Sequence, residues 1–123
     1  MPAIYVCPKS QVPDAARQLR PSHLITLLDP TDEMPTPDEV AGHRHLKLGM
    51  HDIPVAKADF TAPDEAHVRE LIAFAKGWDR SQPMLIHCWA GISRSTASAF
   101  TIACMFNEPG REREIALLLR ARA

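Results

Sequence analysis

A single α/β domain, with a central and mostly parallel sheet flanked by helices, is predicted by three observations. Short apolar runs alternate with helical patterns along most of the chain, as expected where strands and helices succeed one another. The chain has 123 residues, a length that suits one domain with one core. No segment repeats, and the 11 prolines punctuate periodic segments rather than forming a low-complexity tract. The predicted domain spans residues 1–123.

Each element has its own reason. Residues 3–7, "AIYVC", read as a short buried strand. "PDAARQLRP" reads as a short helix stopped by Pro21. "HLITLLD", residues 23–29, is a second apolar strand. Residues 30–43 are rich in Pro, Asp and Thr and read as a loop with one helical turn. "RHLKLGM", residues 44–50, alternates and suggests a third strand. Residues 51–63 form a loop with two prolines and two aspartates. A helix follows from about residue 64, with Thr61 as its cap and Pro63 near its first turn. Val68, Leu71, Ile72 and Ala75 recur at helical spacing as its inner face, and Gly77 ends it. "PMLIH" is the next strand. Residues 94–106 are small or apolar nearly all round, which predicts a helix lying inside the fold. Pro109 and Gly110 break it, and "EREIALLLRAR" is a last helix with Ile115, Leu118 and Leu119 on one side and its charges as a solvated face.

Composition narrows the function classes. Hydrophobic residues make up 46% and charged residues 24%, an ordinary balance for a globular protein. The net charge of −1 points to neither nucleic acid nor an anionic membrane surface, so any anion site must be local. The start, "MPAIYVCPKS", has neither a basic segment nor a long apolar run, and no stretch has the length of a membrane span. Three widely spaced cysteines, Cys7, Cys88 and Cys104, suit a reducing compartment, and the expected location is cytoplasmic.

The chemistry concentrates in "MLIHCWAGISRS", residues 84–95. Cys88 follows an apolar strand and precedes a helix, where amide donors and the positive helix end favour a thiolate. Consecutive amides of Trp89, Ala90, Gly91, Ile92 and Ser93 would cradle an oxyanion, and Gly91 allows a positive φ and a close approach. Arg94 offers a planar fork for two phosphate oxygens. Ser95 can donate to the sulfur, and His87 is placed to fix the loop through its ring nitrogens. These are the parts needed for phosphoryl transfer to sulfur without a metal: a nucleophile, donors for the equatorial oxygens and a water to finish.

"HCWAGISRS" fits the H-C-x5-R-S pattern of the cysteine-dependent protein tyrosine phosphatases, and "AGISRS" resembles the dual-specificity branch. The order of strands and helices over most of the chain is similar too. The resemblance implies a protein-tyrosine-phosphatase-like fold, Cys88 as nucleophile, Arg94 as the phosphate binder and Ser95 assisting breakdown of a phosphocysteine. It also implies a separate acid that protonates the leaving oxygen. Asp52, directly after a strand in "MHDIP", is the preferred acid, with Asp59 second and Asp29 a weaker choice. The implied partner is a phosphorylated protein, with phosphate or another oxyanion at the loop and no cofactor.

Other readings stand beside this one. A phosphoinositide phosphatase would carry lysines within the loop, where this chain has Trp89, Ala90 and Ile92. A rhodanese-like sulfur transferase would not need this residue set. A non-catalytic phosphoprotein-binding module would typically lack the cysteine or the arginine, and this chain has both. His43 and His45 can share a strand face near His51, as metal ligands do, but surface or satisfied core histidines are the expected reading and no metal is called. Cys7 and Cys104 read as small buried hydrophobes. Cys104 falls roughly 15 Å along its helix from the loop, at about 1.5 Å per residue, too far to resolve an oxidised Cys88. Cys7 is the remaining redox partner to consider, since a thiolate at Cys88 would oxidise readily. Trp89 either stacks on an aromatic substrate at the rim or packs. Lys57 reads as a solvated loop lysine. The family usually continues past "LLLRARA" with another helix, so a short C-terminus is expected, and with it self-association through the exposed side of the last helix.

Overall fold

In the computed structural model, the structure describes residues 4–50, 65–89 and 94–106. Among these residues four strands form one sheet: β1 (Ile4–Pro8), β2 (His23–Leu28), β3 (His45–Gly49) and β4 (Met84–Cys88), in the order β1-β4-β2-β3. All three pairings are parallel. The composition of each strand follows its place. The central strands β2 and β4 are buried along their whole length, and their sequences HLITLL and MLIHC are almost continuously apolar. The edge strand β3, HLKLG, keeps polar positions and is only partly covered.

Among the described residues three α-helices cover the sheet: α1 (Val12–Leu19), α2 (Glu65–Lys76) and α3 (Arg94–Met105). Strand alternation divides the core into two layers. On one face Ile4, Ile25, Leu27, Leu48, Met84, Ile86 and Cys88 meet Leu71 and Ala75 of α2 and Ala99 and Ile102 of α3. On the other face Cys7, Leu24, Leu28 and Leu85 meet Val12 of α1, with Met34 and Val40 closing the layer. Ile86 is fully buried at the centre of the first layer. Ile86→Ala should cost about 3 kcal/mol through lost transfer energy and a cavity. Urea unfolding measures it, and an unchanged midpoint would remove Ile86 from the core.

The predicted boundaries that fall among the described residues hold to within a residue or two; Thr61, Pro63, Pro109 and Gly110 lie outside them. A short 3-10 turn, Lys9–Gln11, leads into α1, with Pro13 in its first turn. The helix closes on Arg20, which takes the left-handed conformation at φ 46 and donates its amide to Ala16 O before Pro21. The helical turn expected in the loop is the 3-10 segment Gly42–Arg44.

Two helix faces differ from the prediction. Val68 is 45% exposed rather than part of α2's inner face. It lies one turn before Leu71, on the wall of an open recess shared with Leu48, Met50, His67 and Thr101. The buried stripe instead continues past the helix end to Trp78, which is 4% exposed, whose Nε1 donates to Gln82 O and whose ring packs edge-to-face with Phe106. Helix α3 is not uniformly internal. Ser95, Ala99 and Ile102 are buried at spacings of four and three, whereas Ala97 is exposed and the other described positions are half-covered. The predicted last helix, with the self-association proposed for it, lies outside the described residues.

Candidate active site

Because all four strands run the same way, their carboxyl ends gather on one rim. Pro8 is level with Cys88 and Leu28 with Gly49, so the residues that follow these strands converge there. Met50 N donates to Leu28 O at 2.9 Å and Lys9 N donates to Trp89 O at 3.1 Å, stitching the rim together. A Cβ on Gly49 would sit 3.0 Å from Pro30 Cα, so the glycine is what lets the segment after Asp29 lie against β3.

Cys88 ends β4 with its side chain buried on the α2 and α3 face. Its Sγ is 3.2 Å from the Oγ of Ser95, which is itself fully buried at the second residue of α3. The sulfur thus lies at the first turn of a twelve-residue helix, beside a hydroxyl able to donate to it. Arg94 opens the same helix, with only 9% of its side chain exposed. Its Nη1 donates to Asp29 Oδ1 at 3.0 Å and to Met50 O at 2.9 Å. Its Nε is buried and has no hydrogen-bond partner among the described residues. A buried guanidinium NH left unsatisfied is costly, and an oxyanion would satisfy it. The ion pair fixes one end of the fork and leaves the Nε edge for a ligand.

His87 lies on the opposite face from Cys88 Sγ, as strand alternation requires, and is fully buried. Its Nδ1 is 3.2 Å from Cys88 O and its Nε2 is 2.7 Å from Thr26 Oγ1. Its ring therefore meets the main chain of Cys88 rather than the sulfur. Burial pushes the His87 pKa down to about 4, opposed by the bond to Cys88 O and assisted by Lys9 and Arg94. Burial likewise lowers His45 to about 4, with Lys47 and His87 adding to the effect. In the unfolded chain both rings would take protons near pH 6.5, so between about 4 and 6.5 the unfolded state binds more protons. Stability is then lost as pH falls through this window. His87 alone accounts for roughly 3 kcal/mol at the acid end, at about 1.4 kcal/mol per unit. The urea midpoint should fall between about pH 6.5 and 5, above the carboxylate range. A level midpoint would show that the histidines take protons without cost.

The other predicted residues separate cleanly. Asp29 neighbours Arg94 as its ion-pair partner. Asp52, Asp59, Lys57 and His51 lie outside the described residues, as do Ala90, Gly91, Ile92 and Ser93. Trp89 is 61% exposed at the rim, with Lys9 Nζ 5.2 Å from its ring centre, so it does not pack into the core. Cys7 is on the α1 face, with the sheet between it and the Cys88 side chain. Burial, then Cys88, raises its thiol to about 11, which suits neither a nucleophile nor a resolving thiol. Cys104 lies ten residues along α3 from Arg94 and is half-buried. His43 is exposed, and His45 is bonded to Thr26 and Thr36. Among the described residues no group of three or more His, Cys, Asp or Glu is placed to hold a metal. No described helix is long and apolar enough to cross a membrane.

Sequence reasoning did not single out Thr26, Thr36 or the Met50 carbonyl. The signal for Thr26 was present: it is the one hydroxyl inside the apolar run of β2. A buried hydroxyl needs a partner, and His87 and His45 supply two.

No family model matches the chain, and neither does any curated protein sequence. Solved structures do match. DUSP15 aligns at TM-score 0.63 and 22% identity, over 98% of this chain and 72% of that one. The PTP-2 phosphatase of Cydia pomonella aligns at TM-score 0.65 and 19% identity, over 98% and 78%. Tk-PTP in its active form aligns at TM-score 0.51 and 23% identity, over 99% and 75%. The parallel four-stranded sheet and its flanking helices are thus a fold shared with DUSP15, the Cydia pomonella PTP-2 phosphatase and Tk-PTP.

Proposed function

We propose that the chain is a metal-independent phosphatase that hydrolyses phosphotyrosine in proteins, with phosphoserine and phosphothreonine as further substrates, through a phosphocysteine. The observation that carries this reading is Arg94: a buried guanidinium at the start of α3, pinned through Nη1, whose Nε has no hydrogen-bond partner among the described residues, next in sequence to the Ser95 whose hydroxyl meets the Cys88 thiol. Phosphate chemistry uses such a fork, because the transferring group spreads its charge over three equatorial oxygens.

In the proposed reaction the Cys88 thiolate attacks phosphorus as the bond from phosphorus to the ester oxygen breaks. The leaving oxygen takes a proton from Asp52, and an S–P bond replaces the P–O bond. Water, losing its proton to Asp52, then attacks phosphorus and expels the thiolate, which Ser95 stabilises by donating to sulfur. His87 holds the Cys88 carbonyl. The amides from Trp89 to Ser93 and the Arg94 fork bind the oxygens. The exposed indole of Trp89 beside Lys9 supports an aromatic phosphate ester and an acidic flanking residue.

The choice of Asp52 is supported by Met50, whose carbonyl bonds the Arg94 guanidinium. Two residues further on, Asp52 can be no more than about 7 Å along the chain from Met50, whereas Asp59 is seven residues beyond Asp52. Asp29 is used by Arg94 instead. Asp52→Asn should lower kcat on a phosphotyrosine peptide about a hundredfold, and less on para-nitrophenyl phosphate, whose leaving group needs no proton. Asp59→Asn should leave both rates near native. Steady-state kinetics in EDTA checks this, and equal losses on both substrates would move the acid elsewhere. A folded chain that binds vanadate without turnover would be a phosphoprotein-binding module.

A further inference from the structure

The polar groups on the α1 face of the sheet form a continuous chain. Thr36 Oγ1 is 2.7 Å from His45 Nδ1, His45 Nε2 is 2.7 Å from Thr26 Oγ1, and Thr26 Oγ1 is 2.7 Å from His87 Nε2. His87 Nδ1 completes it at Cys88 O, 3.2 Å away. The chain runs from the loop before β3 across β3 and β2 to β4. Thr26 is directly level with His87 in the parallel register, and His45 is the diagonal neighbour, level with Leu24.

Its direction is dictated by its end. A carbonyl only accepts, so His87 Nδ1 must carry the hydrogen. In the neutral ring Nε2 is then an acceptor, and Thr26 must donate to it. A hydroxyl has one hydrogen, so Thr26 can only accept from His45 Nε2–H. His45 Nδ1 in turn accepts from the Thr36 hydroxyl. Four bonds therefore have one consistent sense, and the two histidines are opposite tautomers. Both rings being neutral at ordinary pH agrees with this.

The consequence reaches the loop through peptide geometry. In a planar trans peptide the C=O and the next N–H point in opposite directions. Holding Cys88 O toward the His87 ring aims the Trp89 N–H to the other side, where the sulfur of Cys88 lies. We propose that His45, through Thr26, is a positioning residue: it commits the Thr26 hydroxyl to His87, fixes the His87 tautomer and so sets the first amide donor of the anion loop. The effect on turnover rests on the phosphatase reading above, whereas the tautomer pattern does not.

The test joins nitrogen-15 NMR of the imidazoles with kinetics. In the native chain at neutral pH, His87 should appear as a neutral Nδ1–H ring and His45 as a neutral Nε2–H ring. His45→Leu and Thr26→Val should turn His87 into a tautomer mixture and change the rate at which iodoacetamide alkylates Cys88. They should lower kcat about tenfold with KM within about twofold, as small misplacements of a reacting group do. Thr26→Ser should restore the native tautomer and rate. A His87 ring that stays purely Nδ1–H in His45→Leu, with native alkylation and kcat, overturns the proposal. So does a native chain whose two rings share one tautomer. If the native chain shows the opposite tautomers but no turnover, the relay stands and the phosphatase reading fails. Should Thr26→Val not fold, the native spectrum and His45→Leu still decide.

Discussion

Cys88→Ser should reduce hydrolysis of para-nitrophenyl phosphate at least about a thousandfold while leaving the fold intact. The two side chains are close in size, so the buried site should accept the change with little loss of stability. Chemistry is another matter. A serine hydroxyl is a poor nucleophile unless a base takes its proton. The Ser95 hydroxyl, 3.2 Å from the sulfur, offers a hydrogen rather than removing one. His87 is next in sequence, but its ring is on the far face of the sheet and bonded to Thr26. Under the proposed mechanism vanadate binding should survive, because Arg94 is unchanged. Steady-state kinetics in EDTA, with circular dichroism as a fold control, measures the effect. Substantial turnover by the serine variant would mean that another group attacks phosphorus.

Arg94→Lys should lower kcat/KM by roughly a thousandfold although the charge is retained. Arginine meets Asp29 and the Met50 carbonyl with Nη1 and still has an Nε edge to present. Lysine has a single nitrogen and cannot do both. In the proposed site it either follows Asp29, leaving the phosphate without a fork, or serves the phosphate and releases Asp29 and the Met50 carbonyl. The stability change should be small, since the Asp29 side chain is 44% exposed and the pair is partly solvated. Phosphate should protect the native chain against heat more than the variant. Equal protection and equal kcat/KM would place the phosphate away from Arg94.

Much of this arrangement was legible in the sequence, for definable reasons. Strands β2 and β4 were readable because central parallel strands are buried on both faces and so become unbroken apolar runs. The thiol and the arginine were readable together because Cys88, at the end of β4, and Arg94, at the start of α3, are six residues apart. What stayed hidden depended on register and strand order. Asp29 and Arg94 are 65 residues apart and meet only because β2 lies beside β4. Thr26, His45 and His87 come from three strands, and only the observed register puts one hydroxyl between two imidazoles. Histidine spacing alone left His45 as one histidine among several. Val68 had the correct spacing for the inner face of α2, but helical periodicity does not say where the neighbouring sheet ends.

The central claim is that a covalent bond forms between Cys88 and phosphorus. Mixing the native chain with para-nitrophenyl phosphate, quenching in acid within the first turnover and mapping the peptides by mass spectrometry tests it most directly. The account predicts one added phosphoryl group on the peptide containing Cys88, absent in Cys88→Ser and longer-lived in Asp52→Asn. Release of nitrophenol with no phosphoryl group on that peptide, at any quench time that catches turnover, would contradict it.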